Sequence, residues 1–124
     1  MNHSLAQNAY RSNAAPTRTA RDFECDVITR ITHRMRQSID RGAAGFPDLV
    51  AALDENRRLW EAFDADVRHP GNPLPQDLKA RISFLATFVF RKTGHVLAGE
   101  AEASSLIEVN MSVMRGLRGT GPRS

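Results

Sequence analysis

Residues 47–68, PDLVAALDENRRLWEAFDADVR, decide the fold. Within them Leu49, Leu53, Asn56, Trp60, Phe63 and Val67 recur at steps of 4-3-4-3-4. That spacing winds the positions onto one side of a helix, a heptad-like seam that buries itself against other helices. Pro47 suits the first turn, where its missing N–H costs nothing. His69, Pro70 and Gly71 stop the helix.

The same periodicity extends in both directions, and no alternation of period two interrupts it. Upstream, a helix is predicted from about Thr19, its N-cap, to Arg41. Phe23, Val27, Ile31, Met35 and Ile39 step by four along its apolar side, and Gly42 and Gly45 end it. Downstream, a third helix is predicted from Pro75 to about Ala98. Its main stripe is Leu78, Ile82, Leu85, Val89 and Val96, with Phe84 and Phe88 about 100° away and Phe90 on the opposite flank. A fourth helix starts at Ser105. Ser105-Leu106-Ile107-Glu108 has the S-x-x-E form of a capping box, and Leu106, Asn110, Val113 and Leu117 continue a seam. The expected architecture is all-α, a small bundle of about four helices. Residues 1–17 read as a flexible arm, 18–118 as the helical domain and 119–124 as a disordered tail. The glycines from Gly116 onward predict fraying from Arg115.

Composition narrows the function classes. The 124 residues suffice for one modest core, and 41% hydrophobic with 25% charged residues is a globular balance. No apolar run reaches the roughly 20 residues that cross a bilayer, and no secretory leader is read at the N-terminus, so a cytoplasmic protein without membrane insertion is expected. The single cysteine, Cys25, leaves no internal disulfide. His3, His33, His69 and His95 are scattered, without the pairing of a helical metal site. Cys25 and His33 are separated by about 12 Å of helix, too far for a nucleophile and its base. No catalytic, metal or cofactor residues are expected.

The net charge of +3 comes from 17 basic residues against 14 acids. Arg30, Arg34 and Arg41 share a face, but Asp26 precedes Arg30 by four residues and Asp54 precedes Arg58 by four, the spacing of helix-stabilising ion pairs. No aromatic residue interleaves with these arginines to stack on bases. A solvated ion-pair face is favoured over contact with RNA phosphates.

Several seam residues carry two readings. Asn56 and Asn110 stand where apolar residues are expected. A buried amide needs partners, so each either sets helix register or anchors a partner chain. Trp60 is either core or interface. Phe84 and Phe88 either close the bundle or line a groove for another helix.

A set of segments carries a resemblance. Asn56-Arg57-Arg58-Leu59-Trp60, Asp66-Val67, Asn72-Pro73-Leu74-Pro75 with Leu78-Lys79-Ala80, Leu106-Ile107-Glu108-Val109-Asn110 and Met114-Arg115-Gly116-Leu117 follow in order. With Ala9-Tyr10 and the stretch from Thr17 to Glu24, they resemble the flagellar biosynthesis regulator family FlaF of alphaproteobacteria. Lys79 where arginine is usual and Val109 where isoleucine is common are the departures. The resemblance implies a helical, non-enzymatic protein that binds flagellin as an export chaperone and promotes its synthesis. It also implies action with the regulator FlbT on flagellin expression; the alternatives to chaperoning are a regulator of flagellin messenger RNA acting with FlbT and an adaptor at the flagellar export gate. Capture of an amphipathic C-terminal flagellin helix would use Phe84, Phe88 and Trp60 as apolar contacts, with Asn56, Arg57 and Asn110 as polar anchors.

Overall fold

A computed structural model of the chain describes residues 20–119, with side chains over 25–117. Four helices follow in order: α1 (Ala20–Asp40), α2 (Phe46–Arg68), α3 (Gln76–Leu97) and α4 (Ser104–Gly119). A 3-10 turn, Gly42–Gly45, joins the first two. No strand is present among the described residues. Short connections make sequential helices antiparallel neighbours. α2 packs on α1 and α3, and α4 closes the ring, packing more extensively against α1 than against α3.

The α2 seam is buried as its spacing predicts, with Leu53, Asn56, Trp60, Phe63 and Val67 inside and Leu49 at the rim. Trp60 and Phe63 meet edge to face at 5.4 Å. The α1 stripe differs from expectation. Ile28, Ile31, Thr32, Met35 and Ser38 face the core, Val27 is half-buried and Ile39 is exposed, while the Phe23 side chain lies outside the described residues. Steps of four precess by about 40° each on a helix, so a strict i+4 run drifts off the face it starts on. Mixed steps of three and four stay on it.

Two glycines act by close approach. A Cβ on Gly45 would stand 2.1 Å from the carbonyl oxygen of Ser38, so only glycine lets the turn fold back on α1. A Cβ on Gly116 would lie 3.3 Å from Leu78 Cδ1. Gly116 was expected to loosen the tail; instead α4 stays helical through Gly119 and uses Gly116 to pack against α3. The expected arm and the remainder of the tail lie outside the described residues.

The capping box is also corrected. α4 opens at Ser104, and the Ala103 carbonyl accepts the N–H groups of Leu106 and Ile107. Ser105 therefore lies inside the helix, and its buried hydroxyl has no hydrogen-bond partner. The physical reason is register: Arg81 bonded to Ser112, and Leu78 against Gly116, place Ser105 on the α3-facing flank, level with Phe88. Ser105→Ala thus leaves stability unchanged or raises it, where loss of a true cap would cost about 0.5–2 kcal/mol. Urea midpoints of the two proteins decide between these outcomes.

Candidate functional site

The polar seam residues converge in the interior. The Trp60 indole N–H donates to Asn110 Oδ1 at 2.9 Å. Asn110 Nδ2 donates to Thr32 Oγ1 at 3.0 Å and to Asn56 Oδ1 at 2.9 Å. One amide of α4 thereby ties α1 and α2 together. Indole only donates, so Asn110 must present its oxygen to Trp60 and its NH2 to the other two. Asn56 must then accept, and its own Nδ2 is left buried without a partner. Asn56, Trp60 and Asn110 are each 0% exposed. Their reading as direct partner contacts is corrected here: in this conformation they offer no surface, because their hydrogen-bonding groups face one another across the core.

Arg57 lies on the outside of α2, bonded to Asp54 at 2.8 Å and Glu61 at 2.6 Å. The hydrogen bond that Arg57 donates to Asp54 raises its already high pKa, partly opposed by desolvation and reinforced by Glu61. Every arginine of α2 is matched in this way, Arg58 with Asp54 and Arg68 with Asp64. Between α1 and its neighbours, Arg34 pairs with Glu55 and Arg41 with Asp48. These exposed pairs contribute little to stability, and they leave no arginine of α2 without a carboxylate.

The outer face of α3 is different. Its core stripe is Leu78, Ile82, Ala86, Val89, Thr93 and Val96. At 100° per residue, Arg81, Phe84, Phe88 and Arg91 share a sector of about 80° turned well away from that stripe. Phe84 is 74% exposed and Phe88 half-buried. Lys92 Nζ stands over the Phe88 ring, 5.5 Å from its centre. Arg81 donates to Ser112 of α4. Among the described residues, Arg81, Arg91 and Lys92 have no carboxylate partner. Asp77, at the N-terminal end of the same sector, is hydrogen-bonded to the Leu78 N–H, and His95, at its C-terminal end, is bonded to Glu100 at 2.9 Å. Between these ends the face is aromatic and cationic.

Three cations around the phenylalanines were thus missed in the sequence. Their spacing was legible, since residues 81, 84, 88 and 91 are separated by three, four and three. The expectation of no interleaving concerned Arg30, Arg34, Arg41 and Arg58; on α3 aromatic and basic residues do interleave. A second exposed apolar set, Phe46, Val50 and Leu97, sits where α2 begins and α3 ends. A cleft lined by Phe63, Val67, Asn72, Leu74, Ile82 and Leu117 holds only about 10 Å³, the room of one water. It is too small for a side chain of a partner.

The family Flagellar protein FlaF matches residues 6–117. The chain belongs to the FlaF family. No curated protein and no solved structure matches it. In this FlaF chain the segments that carry the resemblance are largely structural. Asn56, Trp60 and Asn110 form the internal network. Asn72 shapes the α2–α3 connection, donating to the Asp66 carbonyl at 3.1 Å and accepting the Leu74 N–H at 2.9 Å. The apolar and cationic face of α3, by contrast, falls mostly outside those segments. No described helix of this FlaF chain is long and apolar enough to cross a membrane, and no described group of His, Cys, Asp or Glu has the arrangement of a metal site.

The network is directional, and this sets unequal mutational costs. Asn110→Ala strands the Trp60 N–H, the Thr32 hydroxyl and the Asn56 carbonyl oxygen together, a loss of about 3–5 kcal/mol. Asn56→Ala removes an amide whose NH2 already lacks a partner, and costs about 1–2 kcal/mol. Equal shifts in urea midpoint for the two variants would contradict the assigned orientation of Asn110.

Proposed function

We propose that this protein is a cytoplasmic flagellar biosynthesis regulator that binds flagellin as an export chaperone and promotes its synthesis and secretion. The single observation that carries the reading is Phe84, a large apolar side chain 74% exposed on the outer face of a helix whose core stripe is already satisfied. Membership of a flagellar family supports the identity of the partner.

The physical task is to cover an amphipathic helix. Flagellin ends in helical segments whose apolar sides stay unpaired until subunits polymerise. Masking that surface prevents early assembly and aggregation while the chain waits for export. Release must remain easy, so a limited apolar contact with a polar rim suits the task better than a deep groove. Phe84 and Phe88 supply the apolar contact. Trp60, Asn56 and Asn110 act behind it by holding the bundle in shape, and Arg57 stays engaged with its carboxylates on α2.

A second reading has an observation of its own. Cations interleaved with aromatics, as on α3, also suit single-stranded RNA, which would fit a regulator of flagellin messenger RNA acting with FlbT. Binding to RNA weakens steeply with salt, whereas an apolar contact is comparatively insensitive. An adaptor at the export gate would bind that apparatus and not free flagellin.

The test is co-purification with flagellin. Full-length flagellin is retained, and flagellin lacking its C-terminal helix is lost. Phe84→Asp, at an exposed site, shifts stability by no more than about 0.5 kcal/mol and abolishes retention. A Phe84→Asp protein with an unchanged helical circular dichroism spectrum and undiminished flagellin retention would sink the proposal.

A further inference from the structure

The geometry points to the outer face of α3 as a docking site for an acidic amphipathic helix, its apolar residues set on Phe84 and Phe88 and its carboxylates paired with Arg81, Arg91 and Lys92. This rests on the reading of α3 as the partner-binding face and adds the chemistry of the partner segment.

Charge complementarity carries it. On α2 every arginine is already neutralised by a carboxylate of this chain. On α3 the three cations flanking exposed Phe84 and half-buried Phe88 are not, among the described residues, although cations set that close repel one another. Among the described residues, Arg30, Arg36, Lys79 and Arg115 have no carboxylate partner either, but no exposed aromatic accompanies them; Arg36 contacts Met111, which is 37% exposed. Among the described residues, an exposed aromatic ring and unmatched positive charge coincide only around Phe84. The two rings lie about 6 Å apart along α3, one turn, which is the repeat at which a second helix presents apolar side chains. Half-buried Leu85, and Val109 of α4, extend the surface with aliphatic contact, which suits a helix more than a row of bases.

Occupants from this chain fit poorly. Residues 1–19 contain Arg11 and Arg18 and no carboxylate side chain, so they would meet like charge. Two copies joined through this same face would oppose cations to cations, and Asp48, Asp54, Glu55, Glu61 and Asp64 of α2 are already engaged. A foreign segment carrying carboxylates beside its apolar stripe resolves both problems, and the charges steer its approach.

The probe is a dye-labelled 18-residue helical peptide with a leucine stripe flanked by glutamates, compared with the same peptide carrying lysines. In fluorescence anisotropy with the full chain, the glutamate peptide binds at least tenfold more tightly at low salt, and the preference narrows as salt rises. Arg91→Glu/Lys92→Glu reverses the preference with an unchanged circular dichroism spectrum. If that pair disturbs folding, Arg91→Glu alone lowers affinity for the glutamate peptide at least threefold. Equal binding of the two peptides, binding of neither, an unaltered preference in the folded variants, or tighter binding of a single-stranded RNA than of the glutamate peptide overturns the inference. Flagellin retained equally by wild type and the folded charge variants also overturns it and leaves the flagellin reading standing. Peptide discrimination without flagellin retention does the reverse.

Discussion

A single buried hydrogen bond organises this molecule, from the indole of Trp60 to the carboxamide of Asn110, fifty positions away in the chain. Because indole can only donate, the bond dictates which way the Asn110 amide turns. That orientation then recruits Thr32 from α1 and Asn56 from α2. Apolar packing alone tolerates sliding of one helix past another. A directional cluster at the centre does not, since a shift of one turn strands several polar atoms in the core. The helices are gathered by Leu, Ile, Val and Met, and their relative heights are set by two amides, one hydroxyl and one indole.

Sequence periodicity made the helices legible. Apart from the end of α4, their bounds agree with the observed ones to within one or two residues, because the seams and the Gly and Pro signals between them act locally. Three features were not legible, each for a different reason. The α1 stripe drifted because a uniform step of four does not match 3.6 residues per turn. Ser105 resembled a cap because S-x-x-E is a local pattern, whereas the true helix start depends on where the Ala103 carbonyl sits after α3 has docked. Gly116 resembled punctuation because its use, close approach to Leu78, exists only between helices.

The site shows the same division. Asn56, Trp60 and Asn110 attracted attention because they are chemically unusual on an apolar seam, and they are unusual because they satisfy one another in the interior. Phe84 was harder to judge, since two apolar stripes on one helix say nothing about how many neighbours the fold provides. With four helices the ring closes behind α3, and Phe84 is left outside. The segments bearing the family resemblance thus preserve how the bundle stands, and its surface chemistry is written on a different face.

The enclosure of Trp60 makes the chain its own optical gauge. The one indole in the sequence is sealed from solvent and hydrogen-bonded to α4, a helix that packs less extensively on α3 than on α1. Any excursion of that last helix would wet the ring and move its emission to longer wavelength, so swinging of α4 announces itself without a label. A ligand settling on Phe84 from outside would leave the emission where it was.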